Sequence, residues 1–149
     1  VTRFIEGYHE KLEEKHLFPL FQKKNEYRPL IKTLGKQHKA GQKLAERVYF
    51  LAGRGNVSKD PVRSDLADAL HKYGRMYRAH AAYEDTVLLP ALRKVADDAL
   101  IQKISSQFEQ MTQDRLGEEG LRGVLQQLRP IEKELGIGAL NSYTPSISD

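Results

Sequence analysis

The sequence HEKLEEKHLFPLF at residues 9–21 has a related copy, HAAYEDTVLLPAL, at residues 80–92. Both stretches read as a histidine, three residues, a glutamate, an acidic residue, two further residues, a leucine, an apolar residue and a proline. Residues four apart in a helix share one face, with Cβ atoms about 5–6 Å apart, so the histidine and glutamate of each copy can reach one metal centre. The repeat therefore predicts two facing helices that each present a His–Glu pair.

A third candidate histidine lies between the two copies. His38 falls on an otherwise apolar helical face together with Leu34 and Ala45. Imidazole nitrogens suit iron, and a carboxylate can bridge two cations. Side chains on facing helices of a bundle can build a metal site in the bundle interior. The candidate metal ligands are therefore His9, Glu13, His38, His80 and Glu84.

Each of these residues also has an ordinary structural interpretation. A single His-x-x-x-Glu pair is usually a surface pair that stabilises a helix by about 0.2–0.5 kcal/mol. A lone histidine among apolar neighbours is more often a satisfied core residue than a ligand. The repeat favours the metal interpretation, because a solvated face has no reason to keep the same Leu–apolar–Pro exit after both pairs. Three further candidates stay open, namely Asp85 in place of Glu84, and Glu10 or His16 as additional groups.

Composition excludes several other kinds of site. The chain has 149 residues, of which 40% are hydrophobic and 30% charged, as expected for one globular domain. It has no cysteine, which excludes disulfides, zinc–thiolate sites, iron–sulfur clusters and covalently attached heme, and which fits a cytoplasmic protein. No apolar run is long enough to span a membrane. The net charge of +4 comes from basic residues interspersed with acids, so we expect no nucleic-acid surface.

The hydrophobic pattern is helical nearly throughout and predicts an all-α fold. Glycine, proline and N-capping signals divide the chain into segments. The predicted helices cover residues 2 to 21–24, 29–51, 62–89, 97/98–111 and 121–135. Pro19 should kink or end the first helix, because it cannot donate a hydrogen bond to the carbonyl of Lys15. We expect one domain over residues 1–136 and a mobile tail over residues 137–149.

The sequence resembles the hemerythrin-like HHE family, whose mark is paired His-x-x-x-Glu helices followed by Leu-Phe-Pro. Phe4–Pro19 matches one half of that pattern, Gln37–Gly41 matches the central histidine helix, and His80–Pro90 matches the last motif. The resemblance covers residues 1–136 and implies a hemerythrin-like up-down four-helix bundle with a C-terminal helical extension. It also implies that the five candidate ligands hold two non-heme iron ions, joined by an oxo or hydroxo bridge.

The chain departs from the family pattern in three respects. The family begins with another helix that carries a histidine, so we expect the first helix and one ligand to precede Val1 or, failing that, a homodimer that covers the open face. Gln42 stands where oxygen carriers have a second central histidine, which argues against simple reversible oxygen carriage. Those carriers use the acid five residues after the last histidine, here Asp85. Glu84 shares the face of His80 better, because a five-residue step turns about 140° away.

The resemblance implies a small diatomic or peroxide ligand at the metal. It points to oxygen or redox sensing, iron handling, or defence against reactive oxygen or nitrogen species. One alternative is a di-iron oxidoreductase that turns over peroxide or repairs iron–sulfur clusters. Another is a metal-free helical module that mediates interactions. The sequence does not choose among these functions.

Overall fold

The computed structural model describes residues 9–53, 57–117 and 119–139, and every regular element in these ranges is helical. The predicted all-α helical bundle is confirmed, and no helix within these ranges is long and apolar enough to cross a bilayer. The predicted start of the first helix at Thr2 lies outside the described residues. In chain order the elements are α1 (Glu10–Leu12), the π-helical turn π1 (Glu13–Leu17), α2 (Phe18–Gln22), α3 (Arg28–Ala52), α4 (Val62–Tyr83), the π-helical turn π2 (Glu84–Leu88), a 3₁₀ turn (Leu92–Lys94), α5 (Asp98–Leu116) and α6 (Gly120–Glu134).

Local sequence signals set several helix boundaries. Pro29 lies in the first turn of α3, where its missing N–H costs no helical hydrogen bond. Asp97 caps α5, because its Oδ1 accepts a hydrogen bond of 2.8 Å from a first-turn backbone N–H. The predicted end of this helix at Met111 is wrong. The helix continues to Leu116, because the first residue that breaks it is Gly117, with a left-handed φ of 72°.

Both copies of the sequence motif contain the same backbone irregularity. Directly after each His-x-x-x-Glu spacing the helix widens into a five-residue π turn, π1 starting at Glu13 and π2 at Glu84. In each turn a backbone N–H five residues further on bonds to the carbonyl of that glutamate. A proline stands two residues after each turn and lacks the N–H that would continue the regular ladder. The kink predicted at Pro19 is therefore a widened turn before the proline, and the helix continues through α2.

The backbone forms two compact units, residues 1–105 and 106–149. In the first unit α3 packs along α4, and α2 packs on α3. Its largest fully buried apolar side chains are Phe21, Leu12, Leu34 and Leu88. Burial of one such side chain stabilises a fold by about 1.5–3 kcal/mol. His38 is equally buried, and its ring stacks on the ring of Phe18.

The second unit contains the end of α5 and all of α6. Gly120 begins α6 in a left-handed conformation, and Pro130 lies inside the helix. Apolar side chains recur along α6, and Leu125, Leu128 and Ile131 are about half exposed, at 50%, 42% and 52%. The predicted domain end at residue 136 stays a prediction, and residues 140–149 of the predicted mobile tail lie outside the described residues.

Candidate metal centre

Four of the predicted ligands meet inside the first unit. Each of Glu13, His38, His80 and Glu84 offers one ligand atom, and these atoms all lie within 4.8 Å of one another. The first motif copy supplies Glu13 from π1, α3 supplies His38, and the second copy supplies the other two. All four residues are buried, with exposed fractions of 8% or less. Two imidazoles and two carboxylates therefore face one small space, here called the metal group.

Hydrogen bonds on the outer side orient both imidazole rings of the metal group. His38 Nδ1 lies 2.9 Å from Glu14 Oε1, and His80 Nδ1 lies 2.9 Å from Gln37 Oε1. An acceptor at Nδ1 selects the neutral tautomer that is protonated there, which leaves the Nε2 lone pair for a metal. Glu14 and Gln37 thus act on the two rings in the way that outer partners of metal-bound histidines act in other proteins.

The ligand atoms of the metal group lie close together, but several of them lack a well-aligned hydrogen bond in the part of the chain that the structure describes. His38 Nε2 lies 3.4 Å from Glu13 Oε2, and His80 Nε2 lies 2.8 Å from Glu84 Oε1. Among the described residues, none provides an aligned hydrogen bond to His38 Nε2, Glu13 Oε2 or Glu84 Oε1, although all three atoms are buried. A buried polar atom without a partner costs about 1–3 kcal/mol. A bound cation would satisfy all three atoms, and nitrogen and oxygen donors of this kind fit iron.

Charge interactions favour an ionised Glu13 and a protonated His38 when no metal competes. Burial opposes ionisation of Glu13, but its contacts with His38 and His9 outweigh burial and lower its pKa to about 2. Burial also opposes protonation of His38, yet Glu13 and Glu14 raise its pKa above the usual 6.5. At neutral pH Glu13 is therefore a ready ligand, whereas a protonated His38 must release a proton to bind a metal.

The fifth predicted ligand, His9, lies beside the metal group. Its Nε2 is 2.9 Å from Glu13 Oε1, and its side chain is 45% exposed. The hydrogen bond with Glu13 raises the pKa of His9 despite partial burial, and Glu84 adds to this effect. Glu13 therefore has His9 against one carboxylate oxygen and His38 against the other.

The remaining candidates from the sequence lie outside the metal group. Asp85 and His71 are exposed, and His16 is partly exposed. Glu10 is buried, but its carboxylate accepts a hydrogen bond from Gln42. The geometry thus brings Glu84 rather than Asp85 to the other three residues.

Two residues of the site were not recognised in the sequence. Glu14 directly follows Glu13, and Gln37 directly precedes His38. Both motif copies have an exposed acid at the position of Glu14, but of the two only Glu14 contacts a histidine of the metal group within the described residues. The repeated acid therefore did not predict that Glu14 contacts His38, and the residue spacing did not predict that Gln37 contacts His80.

Comparison with known proteins agrees with this arrangement. Residues 1–92 match the hemerythrin HHE cation binding domain. Over 146 residues the chain is 36% identical to proteins described as uncharacterized from Mycobacterium bovis and from two strains of Mycobacterium tuberculosis. These matches cover 98% of the chain and 57% of each relative, so the chain spans a little over half of their length. No solved structure matches the chain significantly. Because the matched segment is more than half of the chain and holds both motif copies, the chain belongs to the hemerythrin HHE cation-binding domain family.

Proposed function

We propose that the protein is a hemerythrin-like non-heme iron protein whose centre holds two iron ions. The observation that carries the proposal is the position of Glu13, with Oε1 2.9 Å from His9 and Oε2 3.4 Å from His38. A carboxylate held between two imidazoles can bridge one ion on each side. Glu84 contacts His80 at 2.8 Å, and its charge, after the contacts of Glu13, contributes to the raised pKa of His9. His38 and His80 would then bind one ion and His9 the other.

When bound, the ions would supply redox chemistry and open positions for a small diatomic molecule or peroxide. The protein contributes orientation, because Glu14 and Gln37 fix the two buried rings through Nδ1. Burial of the four inner side chains keeps bulk water from their ligand atoms. Glu14 has a half-exposed side chain, at 46%, so it connects the His38 ring to solvent.

The position of Gln42 favours oxygen or redox sensing, iron handling or defence over reversible oxygen carriage. Its amide nitrogen donates a hydrogen bond of 3.0 Å to Glu10 Oε2. The amide is therefore engaged by a carboxylate, at the position where the family resemblance gives an oxygen carrier a second central histidine. We therefore propose that a centre with one imidazole fewer serves sensing, scavenging or redox chemistry rather than simple reversible oxygen carriage.

Iron analysis and an optical spectrum of the anaerobically purified protein test the proposal. We expect two iron ions per chain and an absorption band of a bridged ferric pair that disappears on reduction. Protein that binds no iron under any loading condition would contradict the proposal and leave a metal-free interaction module. Consumption of hydrogen peroxide by the iron-loaded protein would identify the oxidoreductase alternative, and its absence would favour a sensor.

The proposal also covers the cellular location, the partners and the oligomeric state of the protein. We expect a cytoplasmic protein that binds no nucleic acid, with a homodimer as the alternative to a monomer. Sedimentation of the iron-loaded and metal-free forms tests the last expectation.

A further inference from the structure

A second polar cluster, formed by the buried Glu10 and the partly exposed Gln42 and Tyr77, lies next to the metal group. Glu10 is only 1% exposed, and both of its carboxylate oxygens are engaged. The Tyr77 hydroxyl donates a hydrogen bond to Oε1, and the Gln42 amide donates one of 3.0 Å to Oε2. The cluster joins the first motif copy, α3 and α4 through a single carboxylate.

This cluster contacts one buried imidazole of the metal group and acts on the other through the charge of Glu10. Glu10 lies one turn before Glu13 on the same helical segment, and its charge, after the contacts of Glu13 and Glu14, contributes to the raised pKa of His38. The ring of Tyr77 packs edge-on against the ring of His80, with centroids 5.5 Å apart. Glu10 is thus a third buried carboxylate beside the metal group. Its two oxygens, however, accept hydrogen bonds from Tyr77 and Gln42.

Gly41 provides the space that this arrangement needs. A Cβ at this position would lie 2.5 Å from the Tyr77 hydroxyl oxygen and 2.9 Å from Cε2 of the ring. The phenol therefore lies directly against the backbone of α3, one residue before Gln42. Burial, and then the hydrogen bond to Glu10, raises the pKa of Tyr77, so the hydroxyl stays protonated and remains a donor.

We propose that Tyr77 and Gln42 are positioning residues that hold the Glu10 carboxylate as a hydrogen-bond acceptor and keep it out of the ligand set of the metal. Hydrogen bonds to a charged acceptor are stronger than neutral ones. Transfer of Glu10 to a cation would break the hydrogen bonds that the Tyr77 hydroxyl and the Gln42 amide donate to its carboxylate. Two residues that do not touch the metal would thus leave a coordination position open for a small ligand. The inference rests on the proposed metal-binding function.

Binding of one equivalent of Co(II) to the metal-free protein tests this inference, because the intensity of its visible absorption falls as its coordination number rises. In Tyr77→Phe/Gln42→Leu the freed carboxylate of Glu10 should join the ion and lower the absorption. Tyr77→Phe alone should shift the spectrum in the same direction. Tyr83→Phe removes a hydroxyl from an exposed tyrosine on the same helix and is the matched control.

Glu10→Gln separates the possible outcomes. In the wild-type background it should leave the Co(II) spectrum unchanged, because Glu10 is not a ligand there. In the double-variant background it should restore the wild-type spectrum. A spectrum that changes on Glu10→Gln alone, or that is the same in the wild type and the double variant, overturns the inference while the metal-binding proposal stands. Failure of the wild type to bind Co(II) or iron would instead overturn the proposed function, and the inference with it.

In the metal-free protein, Glu10→Gln and Tyr77→Phe should lower the melting temperature non-additively, and additive shifts would count against the hydrogen bond itself.

Discussion

Gly41→Ala should destabilise the protein, whereas Gly35→Ala on the same helix should stabilise it. Both glycines lie inside α3, where alanine is favoured over glycine by about 1 kcal/mol. An added Cβ at Gly35 meets no atom within 4 Å, so the whole gain is expected there. At Gly41 the same atom would lie 2.5, 2.9 and 3.0 Å from three atoms of the Tyr77 side chain.

The cost at Gly41 exceeds the gain in helix propensity. Displacement of a packed ring costs about 1–3 kcal/mol. Loss of the hydrogen bond from Tyr77 to the Glu10 carboxylate costs about 1.5–3 kcal/mol more. After the gain in propensity, Gly41→Ala should lower the free energy of unfolding by about 1.5–5 kcal/mol. The melting temperatures of the two variants should therefore differ by roughly 10 °C or more, since 1 kcal/mol corresponds to roughly 4 °C in a domain of this size.

Urea unfolding of the metal-free variants, followed by far-UV circular dichroism, measures this difference. Equal slopes against urea would show that the variants unfold from comparably compact states. In a Tyr77→Phe background the nearest atom is removed, so the penalty of Gly41→Ala should shrink while the effect of Gly35→Ala stays the same. Equal stability of the two alanine variants in the wild-type background would refute the packing of Tyr77 against α3.

Three further predictions concern the metal group. Glu13→Ala should lose more bound iron than His16→Ala, as measured by iron content after identical loading, and equal iron content would count against a bridging Glu13. Glu14→Ala should weaken metal binding by about 10–100-fold, because His38 loses the partner that orients it, whereas Glu26→Ala at an exposed position should have no effect in the same competition assay. Metal affinity should rise with pH until the raised pKa of His38 is passed and then level off, because protons compete with metal for His38 below that pKa. The metal-free protein should show the opposite trend, since the stability contributed by protonated His38 is fully present below 6.5 and is lost as pH rises through its raised pKa. The same pH profile in His38→Ala would contradict this assignment.

The repeated motif predicted the arrangement of the site because its spacing is a property of single helices. A histidine and a glutamate four residues apart share a face in any α-helix. The burial of His38 followed from its position among apolar neighbours on α3, between Leu34 and Ala45. For such residues, helical geometry and hydrophobic patterning together specify which side chains face the interior.

The parts that were missed depend on how helices are rotated and spaced against one another. Gln37 and Glu14 meet their histidine partners across helices, 43 and 24 residues away in the chain. The hydrogen bonds of Glu10 likewise need side chains from two other helices. The π turns were also missed, although the proline two residues after each turn was a usable signal. The end of α5 was misplaced because helix propensity alone does not mark a boundary before Gly117.

X-ray absorption at the iron edge is the most direct test of the claim that the buried histidines and glutamates bind the metal. The iron-loaded protein should show a shell of nitrogen and oxygen ligands with the multiple scattering that is typical of imidazole. That imidazole signal should fall in His38→Ala and in His80→Ala and stay unchanged in His71→Ala, whose wild-type side chain is exposed. An imidazole signal that is the same in all three variants would contradict the account, as would an iron site without imidazole.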